Sequence, residues 1–348
     1  MPFEPPADPR TARRTTIWRV VSFAMAALLV LLVVYLGWLG YDGSAQLTDP
    51  RTPSADCRTP ASAFAWSYQA INYSLASDRE LDAYADRLAC PSQGAEAGTA
   101  LTSGDGTRLA GWYVPSASGT GPTGPTVVLA HDSGSNKSEM LAWAQPLHRS
   151  YNLVLFDFRN HGQSSGTTTT GGIREAADLR AVVDWVTASK EPISIALLGV
   201  SMGGAAAIDE AASDSRITAV ILDSTHATLA NALQARLESD GLPLALPGAW
   251  SILLAGLLRT GEDMSAADPV QAIERYGERP VLIVAAGNDG LVGQQDGEDL
   301  LAAALAGGAQ AELEVCNGAG HGEAIATCPD DYAAWVLDFL GRALPAPR

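Results

Sequence analysis

The chain has 348 residues, 47% of them hydrophobic, and a formal net charge of −17 at pH 7. That length provides for one large core. That acidity argues against nucleic acid as a partner and against attraction to an anionic lipid face.

In chain order, residues 1–19 carry Arg10, Arg13, Arg14 and Arg19 against Glu4 and Asp8, a net of +2, so the remainder carries −19. Residues 20–41 read VVSFAMAALLVLLVVYLGWLGY and hold no charge. About 20 apolar residues cross a bilayer core as a helix. The arginines in front place a basic tail, 1–19, in the cytoplasm, a transmembrane signal anchor over 20–41, and the large domain outside the cytoplasm. Tyr35, Trp38 and Tyr41 suit the far interface. The rival reading is a cleaved signal peptide and a secreted domain, although such apolar regions are usually shorter, about 7–15 residues. Residues 42–60 read as a stalk that is polar and proline-containing from Thr48 onward, and 61–348 as the main domain. Residues 61–89 carry a helix-like apolar pattern. Four cysteines follow the apolar segment, Cys57, Cys90, Cys316 and Cys328. An even number in an exported domain suggests two bridges, with three possible pairings. Proximity favours Cys57 with Cys90 and Cys316 with Cys328. Zinc is the alternative for them, without C-x-x-C spacing to support it.

Residues 193–206, ISIALLGVSMGGAA, put a β-branched apolar run directly before Gly199-Val200-Ser201-Met202-Gly203 and an alanine-rich segment after it. That is strand, tight turn and helix, with Ser201 at the tip. Glycines flank the serine where a side chain would crowd a sharply turned backbone. A hydroxyl held there is a candidate nucleophile, because the helix that follows directs free N–H groups at the charge formed on attack. Residues 217–223 form a further strand ending at Asp223, a rival for the acid position. Residues 226–276 separate two strands and suit a cap, whose middle, 242–258, is strongly apolar. A packed helix, an acyl-pocket wall and a bilayer-touching surface are its three readings. Residues 280–286, PVLIVAA, form a buried strand, and Asp289 follows it. Residues 311–316 form a short strand, and the turn after it presents His321. The order Ser201, Asp289, His321 is that of a doubly wound hydrolase sheet, each residue lying past a strand's carboxyl end.

With these features, the segments SGDGTRLAGWYVP (103–115), VVLAHDSGSNK (127–137) and LFDFRNHGQSSG (155–166) make the chain similar to the α/β-hydrolase superfamily. The branch resembled is that of prolyl-oligopeptidase-like and monoglyceride-lipase or serine-aminopeptidase-like enzymes. The resemblance spans roughly residue 98 to the end. It implies an α/β fold with a mostly parallel eight-stranded sheet, helices on both faces, and a small cap at about 226–276. It further implies Ser201 as nucleophile, His321 as base, Asp289 as its orienting acid, and an oxyanion hole from the amides of Met202 and Ser133. Two positions depart from the family pattern. Asn160 stands where glycine is usual, and His131-Asp132 stands where His-Gly is usual, so a carboxylate sits beside the expected oxyanion. His131, Asp157 and Arg159 are read as structural. No cofactor or metal is called for. The activity implied is a serine hydrolase cleaving small-molecule or lipid esters. A peptidase with the same three residues and a catalytically silent binding domain are the alternatives.

Overall fold

The computed structural model describes residues 9–49, 56–71 and 101–344, with side chains from Trp18 onward. Its strands are β1 (Gln69–Ile71), β2 (Leu101–Thr102), β3 (Arg108–Val114), β4 (Thr126–Ala130), β5 (Asn152–Asp157), β6 (Ile195–Val200), β7 (Ile217–Asp223), β8 (Pro280–Ala286) and β9 (Gln310–Cys316). Eight lie side by side in the order β1-β3-β5-β4-β6-β7-β8-β9, and the short β2 pairs with β3 as a ninth. β3 runs antiparallel to both its neighbours, β1 and β5. From β5 through β9 every pairing is parallel. Parallel strands covered on both faces must be apolar throughout. Accordingly β4 sends Val128 to one core and Val127 and Leu129 to the other, and β6 divides Leu197 from Ala196 and Leu198 in the same way. Helices Ile173–Lys190, Met202–Ser213 and Gln294–Ala306 cover the first face. Helices Leu141–Leu147 and Pro329–Ala343 cover the second.

Two expectations change. The pattern over 61–89 is not one helix. A five-residue helix, Pro60–Phe64, ends at Ala65 in a left-handed conformation, and Gln69–Ile71 then joins the sheet edge against β3. Residues 72–89 lie outside the described residues. The apolar segment of 20–41 belongs to a longer helix, Pro9–Thr48, which continues through 42–48 where a stalk is expected. Its stretch Trp18–Thr48 is long and apolar enough to cross a membrane. The last turns of this helix are docked: Leu39, Ser44 and Thr48 are buried, and the Thr48 carbonyl accepts from the Thr169 amide at 2.8 Å.

The cap region forms two helices, Leu229–Ser239 and Ala245–Thr260. Leu237, Ala249 and Ile252 of this pair pack around Leu39 of the long helix. The second cap helix stops at Gly261, whose φ of 77° is the left-handed geometry that glycine adopts freely at a helix end.

Candidate active site

Ser201 sits between β6 and the helix Met202–Ser213 with φ 53° and ψ −116°, a conformation unusual for any L-residue. The surroundings enforce it. A Cβ on Gly199 would lie 2.3 Å from the Gly203 carbonyl oxygen, and one on Gly203 would lie 2.3 Å from that of Ala130. The Ser201 amide donates to the Asp223 carbonyl at 2.8 Å, tying the turn to β7. The hydroxyl is thereby pushed clear of the sheet, at the N-terminus of a helix whose first amides lack intrahelical partners. The amide of Met202 is one of these.

His321 follows β9 and Asp289 follows β8. Between Ser201 Oγ and His321 Nε2 the distance is 2.9 Å, and His321 Nδ1 lies 2.7 Å from Asp289 Oδ2. The Asp289 side chain is fully buried, and its Oδ1 accepts from the amides of Leu291 (2.8 Å) and Val292 (2.9 Å). Three residues read separately from the sequence are therefore in one hydrogen-bonded line. The His321 turn is restrained twice. A disulfide joins Cys316 to Cys328 around it, and the Gly322 amide donates to Ser224 Oγ at 3.1 Å. Cys57 is also disulfide-bonded; Cys90, its expected partner, lies outside the described residues.

Asp223, the rival acid, is engaged elsewhere. It accepts from Trp143 Nε1 at 2.8 Å, from the Tyr332 hydroxyl at 2.9 Å and from the Ser224 hydroxyl at 3.0 Å. Asp157 pairs with Lys137, both buried, and Arg159 bridges Asp178 at 2.6 Å and Asp105 at 2.8 Å. His131 is buried, accepts from the Phe158 amide at 3.0 Å and donates from Nδ1 to the Asp132 carbonyl at 2.7 Å. These side chains brace the turns beneath the site, and none of the hydrogen bonds they make is to the Ser201 hydroxyl. Asn160 takes the place of the usual glycine with φ 61°, which asparagine tolerates better than most residues.

The turn after β4 behaves differently from the family expectation. The Ser133 amide donates to Asp132 Oδ1. Asp132 Oδ2 lies 3.6 Å from His321 Nε2, on the same side as the Ser201 hydroxyl. The carboxylate thus points into the site and occupies the amide expected for an oxyanion. Burial opposes the charge of Asp132. The hydrogen bond to and charge of His321, with Ser201 and the Ser133 amide, nonetheless hold its pKa below the usual carboxylate value. Burial would likewise lower the His321 pKa, but the hydrogen bonds and charges of Asp132 and Asp289 outweigh it and raise it to about 10.

With Asp289 buried behind the imidazole, Ser201 and His321 line a cleft of about 360 Å³. His226 lines it and is otherwise buried. Desolvation, against the charge of Asp132 and with that of His321, lowers its pKa to about 4, so it is neutral at physiological pH. The far wall comes from Leu39, Gly43 and Leu47 of the long helix with Leu233, Leu237 and Ile252 of the cap. Nothing in the local sequence marks Leu39 or Leu47 as cleft residues beyond the four-residue spacing of Leu39, Gly43 and Leu47, which puts them on one face of a helix.

The family model for the alpha/beta hydrolase family matches residues 127–335. The chain is 33% identical over 157 residues to the uncharacterized protein YfhR of Escherichia coli (strain K12), covering 42% of this chain and 54% of that one. It thus spans about half the length of that curated relative. It is also 25% identical over 226 residues to protein bem46 of Schizosaccharomyces pombe, covering 63% of this chain and 68% of that one. Among solved structures, the Pyrococcus furiosus esterase Pf2001 superposes with a TM-score of 0.64 at 21% identity, covering 84% of this chain and 97% of that one, a likeness of fold. With more than half of its length matched by the family model, the chain belongs to the alpha/beta hydrolase family.

Proposed function

We propose that this protein is a membrane-anchored serine hydrolase that cleaves carboxylic esters through an acyl-enzyme on Ser201. The observation that carries the reading is the line from Ser201 Oγ through His321 to Asp289, with contacts of 2.9 and 2.7 Å. Nucleophile and base lie within hydrogen-bond reach, and a third group orients the base. Ser201 Oγ attacks the ester carbonyl carbon while its proton passes to His321 Nε2. Asp289 stabilises the imidazolium through Nδ1–H. The oxyanion is held by the Met202 amide and by the Ser133 amide, the latter once Asp132 has turned aside. The tetrahedral species collapses by breaking the ester C–O bond, and the departing alkoxide takes the proton from His321. Water, deprotonated by His321, then attacks the acyl-serine, releasing the acid and restoring the hydroxyl. The side chains supply nucleophile, base and electrostatics without a cofactor.

The arginines at 10, 13, 14 and 19 ahead of an uncharged helix support a cytoplasmic tail and an extracytoplasmic domain. The Cys316–Cys328 disulfide suits that side of the membrane. A second reading, a peptidase with the same three residues, draws on one observation: the Asp132 carboxylate in the site is a ready partner for a substrate ammonium.

The test is a fluorophosphonate probe on the full chain. Ser201 is labelled, the label vanishes in Ser201→Ala, and turnover of a short nitrophenyl ester falls by on the order of 10⁶. Unchanged turnover in Ser201→Ala defeats the reading, and an unlabelled wild type points to a silent binding domain. Amino-acid amides assayed beside esters separate peptidase from esterase.

A further inference from the structure

The cap helix Ala245–Thr260 is apolar on both faces. One face, with Gly248, Ile252 and Gly256, is buried. On the other, Leu246, Trp250, Leu254 and Leu258 recur every fourth residue and are 52%, 52%, 60% and 81% exposed. A helix apolar all round belongs in a core or in lipid, and a contiguous exposed apolar stripe marks an interaction surface.

Its neighbour indicates which. The cap helix lies directly against the long N-terminal helix. A Cβ on Gly40 would fall 2.7 Å from the Ser251 carbonyl oxygen, and one on Gly43 would fall 2.5 Å from Ile252 Cδ1. Small residues at a helix crossing let backbones approach this closely. The Tyr35 hydroxyl donates to the Pro243 carbonyl at 2.9 Å, so the start of the cap helix is level with Tyr35. A span beginning at Val20 needs about 20 residues to cross an apolar core of about 30 Å, and so ends near Leu39. Tyr35 is four residues short of that point, about 6 Å inside the core edge at a rise of about 1.5 Å per residue. The beginning of the cap helix therefore sits at the depth of acyl chains whenever the long helix spans the membrane. Its one charged side chain, Arg259, is at the other end, donating to the Tyr41 carbonyl at 3.2 Å with its guanidinium over the Tyr41 ring. Charge is at headgroup level, Leu246 at the start of the helix lies deepest, Trp250 lies near the core edge, and Leu254 and Leu258 lead up to Arg259. The long helix, through Leu39, Gly43 and Leu47, and this cap helix, through Ile252, share the apolar wall of the cleft that reaches Ser201 with Leu233 and Leu237 of Leu229–Ser239.

We propose that the exposed face of the cap helix is seated in the outer leaflet and that the cleft takes its acyl chain from the bilayer, which makes the substrate class long-chain lipid esters. This rests on the anchored-hydrolase reading above. The net −19 of the chain beyond residue 19 directs it to neutral or zwitterionic leaflets, because anionic ones repel it.

The experiment uses the full chain in phosphatidylcholine vesicles. In the first arm, the fluorescence lost on Trp250→Phe isolates the contribution of Trp250. Phosphatidylcholine brominated on its acyl chains quenches that contribution. An unquenched Trp250 overturns the proposal, and a dimer at low protein-to-lipid ratio then identifies a second copy as the occupant of the face. In the second arm, the variant L246E/L254E/L258E loses at least about tenfold on nitrophenyl palmitate dissolved in the vesicles while keeping wild-type kcat/KM on aqueous nitrophenyl acetate. Equal palmitate turnover by variant and wild type overturns delivery from the bilayer. If the variant also loses acetate turnover, its cleft is damaged and the Trp250 arm decides. A wild type that hydrolyses neither ester defeats the hydrolase reading alone, since quenching reports the seating of the face independently.

Discussion

On the sheet side of the cleft, Ser201, His321 and Asp289 are placed by hydrogen bonds, a disulfide and a turn so tight that a Cβ on Gly199 or Gly203 would fall 2.3 Å from a carbonyl oxygen. On the opposite side, Leu39, Leu237 and Ile252 are placed by apolar contact between helices far apart in the chain. The first wall, on the proposed mechanism, tolerates almost no change of position, because proton transfer demands geometry within a fraction of an ångström. The second tolerates more, because apolar burial is non-directional and scales with area. On the proposed function, chemistry is concentrated where the structure is over-determined, and selection of substrate is left to the side that can repack.

Substitutions can break or sharpen that contrast. After Ser201→Ala, the largest effect is expected of Asp289→Asn, which leaves packing intact and favours the wrong imidazole tautomer. Ester kcat should fall by about 10⁴ with little change in thermal midpoint, and a loss under tenfold would mean that another group orients His321. Next is removal of the Cys316–Cys328 bridge by replacing both with alanine. A closed loop near that size is worth about 3 kcal/mol in the chain-entropy model, read as a lowered urea midpoint, and activity should decline as the His321 turn loosens. Gly40→Val tests the helical wall. Its new Cβ lies 2.7 Å from the Ser251 carbonyl, and overpacking of this kind costs about 1–3 kcal/mol. It should lower the unfolding midpoint while leaving acetate-ester turnover near wild type; equal loss of both would show that the two walls are not independent.

The smallest effect is expected of Asp132→Asn, and it is a shift in pH dependence. On the proposed mechanism His321 acts as a neutral imidazole base, so the active fraction grows as pH rises through its pKa. Asp132 and Asp289, against the opposing effect of burial, raise that pKa to about 10. Losing one negative neighbour lowers it, since His226 on the same side is neutral and Asp289 remains. The acid limb of kcat/KM should therefore move to lower pH and turnover near pH 7 should rise. A limb that stays in place would show that Asp132 does not act on His321.

Much of the sheet side was legible because its determinants are local. An apolar β-branched run, a glycine-flanked turn and an alanine-rich segment specify strand, elbow and helix around Ser201 whatever the rest of the chain does. The same holds for 280–286 before Asp289 and for the turn that presents His321. The helix expected over 61–89 was not secured by periodicity, since Gln69–Ile71 pairs with β3 through partners some forty residues away. Sequence also left open where the Asp132 side chain points, because a carboxylate in a turn has several rotamers and only the surrounding imidazole and amide choose one.

What the sequence by itself determined is the set of short-range preferences: an uncharged helix long enough for a bilayer, the strands of a covered parallel sheet, and the turns that hold Ser201, Asp289 and His321. What only the tertiary structure decided is how the two ends of the cap meet the long helix, with Gly40 against Ser251 and Leu39 at the cleft, and that Asp132 faces His321. Local preferences arise from steric and hydrogen-bonding rules within a few residues. Contacts between positions some two hundred residues apart depend on shape complementarity and burial, which exist only once the chain has folded.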